Sequence, residues 1–183
     1  MIWNIDGSNS VIGFSTKHLM VSTVKGCFSK VTGTIDWDDD DLSKSYIEAS
    51  VESASLTTGD KNRDTNLRSV EFFDMRHYPT LTFKSKQIRK VGPNKFRLTG
   101  GLTIKGITRD VHFEVEYDGR ATNPFASNSA GFRAYTMINR KDFGLVWGPA
   151  VEAGGLTVSE QVKIELYIKA VKAVKEAAVT AAA

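Results

Sequence analysis

A side-chain alternation of period two runs through this chain almost from end to end, and it restricts the fold more than any other feature. Ile12, Phe14, Thr16 and His18 share one face of an early segment, and Val24, Gly26 and Phe28 share one face of the next. Ile35 and Trp37, then Ile47, Ala49 and Val51, continue the pattern. After one interruption it resumes in Leu81, Phe83 and Ser85, and again in Phe96, Leu98, Gly100, Leu102 and Ile104. Three more runs follow, centred on Phe113, Phe132 and Leu166. The intervening positions are mostly Lys, Arg, Glu and Thr. Strand side chains point alternately to opposite sides of a sheet, so this is the pattern of antiparallel strands with one buried and one wet face. About eight to ten strands emerge, separated by turn clusters such as Gly92-Pro93-Asn94 and Asp118-Gly119. No βαβ rhythm, repeat or linker divides them. The pattern therefore predicts an all-β chain folded as a single closed antiparallel barrel, because closure removes the edges that a sandwich would leave.

The interruption lies between Thr57 and Phe83. There Leu67, Val70 and Phe73 recur at helical spacing, and Phe72 and Met75 widen the apolar stripe. Asp60 reads as an N-cap and Pro79 as the stop, which predicts a short helical insertion near residues 60–76. A short striped helix between strands suits a lid or plug at one end of a barrel.

The bulk properties exclude several classes. The 183 residues, 41% hydrophobic and 25% charged, suit one soluble domain with a sizeable core. Apolar runs fall far short of the roughly 20 residues a membrane helix needs, so no integral membrane segment is expected. The net charge of +3 is spread along strands and turns, which gives nucleic-acid binding little support. A lone Cys27 excludes an intrachain disulfide, and His18, His77 and His112 lack metal-ligand spacing. The acidic run Asp38 to Asp41 lacks the spacing of a calcium loop and reads as a solvated hairpin tip. Met1 leads directly into Trp3 and Ile5 without a signal peptide, so the chain as written is expected in the cytoplasm, or in the periplasm or outside the cell if a leader has been removed. From Lys169 onward the composition turns Ala-rich. Residues 1–168 are read as the barrel and 169–183 as a tail, helical or disordered.

A barrel of roughly eight strands either fills with its own side chains or holds one small ligand. Large residues on the inward faces here alternate with very small ones, among them Gly26, Ala49, Gly100 and Ala134. Two readings stand level: glycines that kink the strands for closure, or an apolar cavity with aromatic walls.

Ordered motifs then point to a family. The opening WNIDGSNSVIGFSTKHLMVSTVKGCFSKVTGTI carries Trp-x-Ile-Asp, Ser-x-x-x-Phe-x-x-x-His and Val-x-Gly-x-Phe elements. Thr58, Arg63-Asp64, Leu67-Arg68-Ser69, Phe72-Phe73-Asp74, Tyr78-Pro79 and Phe83 follow, then GGLTIKGITRDV and INRKDFGLVW. This ordered set resembles the YceI-like family up to about Ile168. The chain departs from the family in having Asn66 where His is frequent, in lacking the secretory leader of many members, and in its Ala-rich tail. The resemblance implies a lipocalin-like barrel with an elongated hydrophobic cavity that carries or sequesters polyisoprenoids, isoprenoid quinones or similar long amphiphiles. It further implies a link to stress responses, homodimers, and no settled enzymatic reaction.

Residue by residue, the expected cavity wall comprises Phe14, Phe28, Leu81, Phe83, Leu102, Ile104, Phe113, Phe132 and Trp147, with Leu67, Phe72 and Phe73 at the helical end. A pyrophosphate, quinone or carboxyl head would need donors near the mouth, for which His18, Arg63 and Arg140 are the candidates. The alternative for each wall residue is plain core packing, and for the two arginines structural ion pairing or capping. No cofactor or metal is expected; the ligand is a bound isoprenoid or other long-chain lipid. Two rival functions remain: a barrel interaction module without a small-molecule ligand, and an isomerase or hydrolase acting through His18 with Asp64. Hydrolase signatures such as G-x-S-x-G and H-E-x-x-H are absent.

Overall fold

In the computed structural model, which describes residues 1–19, 21–121, 128–146 and 158–174, every alternating run is a strand. The strands are β1 (Ile2–Ile5), β2 (Val11–His18), β3 (Ser22–Phe28), β4 (Val31–Asp36), β5 (Tyr46–Glu52), β6 (Leu56–Thr57), β7 (Thr80–Gly92), β8 (Lys95–Ile104), β9 (Ile107–Ala121), β10 (Ser129–Asn139) and β11 (Val158–Lys172). All pairings are antiparallel, and the sheet order is β1-β4-β5-β7-β8-β9-β10-β11-β2-β3-β6 with β1 also on β11. The first six strands are three long ones, each broken once. β11 pairs with β2 through Val162↔Thr16 and Leu166↔Ile12, then with β1 through Ala170↔Ile5 and Lys172↔Trp3. β4 then joins β1 to β5, while β3 joins β2 to β6. The ring therefore closes as an eight-stranded antiparallel barrel.

The break between β1 and β2 stays sealed. Ser10 Oγ accepts from Lys169 N at 3.0 Å and donates to Lys169 O at 3.4 Å, standing in for the missing ladder bonds. A second hydroxyl serves a bulge. Between Ser85 and Gln87 the β7–β8 register shifts, and the buried Ser85 hydroxyl accepts the Ile47 amide at 2.8 Å. Buried backbone donors demand partners, and both sites meet that demand with a serine.

Two of the small inward residues, Gly26 and Gly100, prove to be seats for rings. A Cβ on Gly26 would sit inside the Phe14 ring, and one on Gly100 would meet the Phe83 ring and the Lys84 carbonyl. Each aromatic side chain lies across the bare backbone of the neighbouring strand, an arrangement in which a large group covers a glycine. The interior divides into two clusters. The larger contains Phe28, Phe72, Phe73, Phe113 and Phe143. The smaller gathers Trp3, Ile35, Ala130 and Ala170 where β1, β4 and β11 end, and Arg120 covers the Trp3 ring 5.3 Å from its centroid.

The structure corrects two sequence boundaries. The helix α1 spans Lys61–Arg68 only, so it stops well short of Pro79. Ser69 leaves the helical region, with its hydroxyl donating to Asn66 O at 2.7 Å, and the next residues form tight turns with Asp74 at φ 48°. The amides of Phe73 and Met75 then take up the Leu67 and Arg68 carbonyls at 3.0 and 3.2 Å. These turns bring Phe72 and Phe73 inward and leave Val70 66% exposed, so Val70 is no part of a buried stripe. At the other boundary, Lys169 lies inside β11, which continues to Lys172 and closes the barrel against β1; the sequence break at 169 falls within the sheet. The Ala-rich residues from 175 onward lie outside the described residues.

Because Gly100 has no room for a side chain, Gly100→Val is expected to displace Phe83 and lower stability by roughly 1–3 kcal/mol. Urea unfolding reads this directly: the midpoint falls while the slope is kept, and an unshifted midpoint would contradict the packing described.

Candidate functional site

The barrel interior holds a cavity of about 470 Å³, within the range of roughly 300–1,000 Å³ typical of small-molecule sites. Its walls are the inward positions of almost every strand. On β11 alone they run Val158, Val162, Ile164, Leu166 and Ile168. At about 3.3 Å per residue and a strand tilt near 40°, that run covers roughly 25 Å of the barrel axis. The cavity is therefore long and narrow. Contacting ring pairs build its walls: Phe14 and Phe28 lie 5.7 Å apart, Phe83 meets Phe113 edge-on at 5.5 Å, and Trp37 meets Phe96 edge-on at 5.2 Å.

Phe14, Phe28, Leu81, Phe83, Leu102, Ile104, Phe113 and Phe132 all line this space, as do Leu67, Phe72 and Phe73 from the lid. Trp147 lies outside the described residues. Sequence reasoning missed Ile88, Trp37, Phe96 and Leu98 as wall positions. The last three stand in alternating runs and carried the signal. Ile88 did not, because the bulge after Ser85 moves the inward face from odd to even positions of β7.

The lid is a clamp built from the most characteristic stretch of the sequence. Asp60 caps α1 by accepting from Asn62 N and Arg63 N, each at 3.0 Å. The Arg63 amide bond, followed by the Asn62 amide and the Arg63 charge, holds the Asp60 carboxyl below the usual aspartate range against an opposing effect of desolvation. One turn on, the buried Asp64 accepts from Thr58 N at 2.9 Å and Thr58 Oγ1 at 2.6 Å. Arg68 donates to Leu56 O at 2.7 Å. Across the base, Ser53 N donates to Pro79 O and Ser53 Oγ to Tyr78 O, both at 2.8 Å. The lid thus enters and leaves the barrel tied to one strand end. Phe73 then packs edge-on against Phe28 at 6.0 Å, which joins lid to wall.

Polar groups collect at the lid end. Arg63 lines the cavity while its side chain is 42% exposed, so the interior reaches solvent beside it. Its ion pair with Asp60 is long, 4.0 Å. His18 lines the same end at half-burial, and no hydrogen bond to its ring is formed among the described residues. Arg140 also lines the cavity, but it is 3% exposed and donates to the carbonyls of Leu145 at 2.7 Å, Ser159 at 3.2 Å and Val158 at 3.3 Å. It ties the 3₁₀ turn Arg140–Phe143 to the start of β11 through backbone carbonyls. Asp64 is turned to Thr58 rather than to His18, so the acid–base pair that a His18 enzyme would need is not assembled.

An eight-stranded, lidded barrel around a long apolar cavity is a lipocalin-like architecture. The chain matches the YceI-like domain over residues 3–170, and it belongs to the YceI-like family. Among its relatives are a UPF0312 protein of Staphylococcus epidermidis, 37% identical and covering 89% of this chain and 93% of the relative, and one of Staphylococcus aureus, 35% identical with the same coverage. Among solved structures it is similar to BcnA of Burkholderia cenocepacia, with TM-score 0.78, 26% identity and coverage of 90% of this chain and 98% of that one. A polyisoprenoid-binding domain from Saccharophagus degradans, implicated in plant cell wall breakdown, shares the fold at TM-score 0.69 and 15% identity, over 93% of this chain and 98% of the other. No helix among the described residues is long and apolar enough to cross a membrane.

Asp64→Ala would strand the Thr58 amide and hydroxyl in a partly buried site, a loss of roughly 1–3 kcal/mol. Native-state hydrogen exchange is expected to show faster exchange for the amides of α1 with little change in β8 and β9. Equal acceleration in all three would mean that Asp64 supports the whole barrel and not the lid.

Proposed function

We propose that this protein binds a long-chain amphiphile inside the barrel and sequesters or carries it away from water. A polyisoprenoid, an isoprenoid quinone or a fatty-acid-like lipid has the required shape. The single observation behind this reading is the long apolar cavity, closed at one end by the Trp3 cluster and open beside Arg63. Its magnitude also selects a class of ligand. Apolar burial is worth about 25 cal/mol per Å², and association costs at least about 4 kcal/mol, so a tail must bury more than about 160 Å² before any affinity appears. At about 0.8 kcal/mol per buried CH₂ that threshold equals about five methylenes, and a polyprenyl or acyl chain exceeds it several-fold along a cavity of this length. The Saccharophagus degradans domain described as polyisoprenoid-binding supports the same class by fold.

Binding is non-covalent and the role is not enzymatic. The tail contacts Phe14, Phe28, Phe83, Phe113 and Phe132, with Phe72 and Phe73 closing over its near end. The head group lies near His18 and Arg63, the two partly exposed polar groups that line the lid end of the cavity. Arg140 shapes the mouth through its backbone carbonyls.

Organic extraction of the purified protein followed by mass spectrometry is expected to release a bound long-chain lipid. Phe113→Asp, which puts an unpaired charge in the wall, is expected to reduce occupancy at least tenfold in a folded variant. An empty extract together with no uptake of quinone or polyprenyl probes would sink this reading and favour a ligand-free interaction module. His18→Ala and Arg63→Ala are expected to weaken binding of a probe with an anionic head severalfold while sparing a headless hydrocarbon. Equal loss for both probes would assign the two residues to packing. Light scattering on the same preparation tests the homodimer that the family resemblance implies.

A further inference from the structure

We infer that the lid end of the barrel is a docking surface for an anionic lipid bilayer, which it meets mouth first. This inference rests on the proposed lipid-carrying role and names the surface with which that cavity exchanges its ligand. Three observations carry it.

The first is exposed apolar side chains where the cavity opens. The turn after His18 presents Leu19, 50% exposed, and Val21, 86% exposed, and the lid presents Val70 at 66%. None of the three lines the cavity, and none belongs to either buried cluster. The far end also exposes Ile2 at 52% and Val91 at 48%, so it is the charge around these side chains that sets the mouth apart.

The second is the backbone at Leu19. Its φ of 52° is the left-handed conformation that a bulky residue rarely adopts and that Gly, Asn or Asp would occupy at less cost. A tight hairpin turn would ordinarily use one of those polar or small residues. Here a leucine occupies the strained, solvent-facing position instead. An external apolar partner accounts for that choice.

The third is charge. Lys17, Lys61, Arg63, Arg68, Arg76 and Lys141 are exposed around the same end, against the exposed carboxylates Asp60, Glu71, Asp142 and Glu160. The buried Asp64 is turned inward to Thr58, and Asp74 is bonded to His77 at 2.8 Å. The opposite end of the barrel carries the acidic run Asp38 to Asp41, at the tip between β4 and β5. Apolar side chains ringed by cations match the interface of a bilayer rich in anionic headgroups, where short apolar groups enter the headgroup region and cations stay among the phosphates. Attraction at the mouth and acidity at the far end would together aim the cavity at the membrane. A ligand could then pass between bilayer and barrel without crossing water.

Vesicle co-sedimentation tests this with the intact protein, using phosphatidylcholine alone and phosphatidylcholine mixed with phosphatidylglycerol at about 3:1. Binding is expected to the mixed vesicles and not to phosphatidylcholine alone, and it is expected to fall as salt rises from about 0.1 to about 1 M and shortens the screening length from roughly 10 to roughly 3 Å. Lys61→Glu and Arg76→Glu are expected to weaken it at least about fivefold each, the equivalent of about 1 kcal/mol per cation at the surface. Leu19→Asp with Val21→Asp is expected to abolish it, and Asp suits the left-handed turn, so folding is preserved. Extraction and mass spectrometry of the Asp variant purified from cells separate the two proposals. Retained lipid with lost vesicle binding supports docking. Retained lipid with no wild-type vesicle binding overturns docking and leaves the carrier reading intact. Vesicle binding by a protein that holds no lipid overturns the carrier reading and keeps the surface assignment. A shift from dimer to monomer in the Asp variant would overturn the inference, because the surface would then be an interface between copies of the chain.

Discussion

The structure depends on one strand meeting both halves of another. β11 hydrogen-bonds first to β2 and then to β1, so the broken first strand is held straight by its neighbour. Without that shared edge the sheet would stay open, its unpaired backbone groups would face water, and its inner face would have nothing to enclose. Closure converts the strands into one wall. A wall of that curvature leaves a space along its axis, and the large side chains on the inner face narrow this space without filling it.

The two ends of the space are finished differently, and the difference is chemical. At the far end, Trp3 is buried among Ile35, Ala130 and Ala170 and covered by Arg120, so an aromatic plug seals the barrel. At the near end the seal is a lid of eight helical residues and a string of turns, held by polar bonds to the strand ends. The lid adds those polar bonds to apolar packing, since Phe72 and Phe73 lie in the main core while Asp64 and Arg68 tie the helix to the strand ends. The solvent-reaching opening lies beside the lid, the end to which the proposed ligand exchange and bilayer contact are assigned.

Much of this was legible in the residues. Alternation located the strands because a half-buried sheet can satisfy its side chains in no other way. It also located most wall residues, since the inward face of a closed barrel and the apolar face of its strands are the same set. Phe14, Phe83 and Phe113 were visible on that ground alone. Val70 was misread because helical spacing assumes that the helix continues, and Ser69 ends it one residue earlier. Ile88 was missed because a bulge reverses the parity of β7, and a bulge leaves no periodic trace. The strand at Lys169 to Lys172 was hidden by an alanine-rich composition whose local preference is helical, overruled here by pairing with β1.

The sequence by itself determined the strand inventory, the inward and outward faces, the cap at Asp60 and membership in the YceI-like family. The first three follow from local physics, from the period of side chains along a strand and the demands of a helix terminus, and the family rests on the ordered set of motifs the chain resembles. Only the tertiary structure decided that Gly26 and Gly100 are seats for aromatic rings. It also decided that Arg140 is bound up in backbone carbonyls, that Asp64 holds Thr58 and that the interior remains open beside Arg63. Each of those outcomes depends on which groups from distant segments arrive at the same place, and spacing along the chain does not encode that. A glycine beside a phenylalanine on the next strand reads as a void or as a filled seat only once the register between the two strands is known.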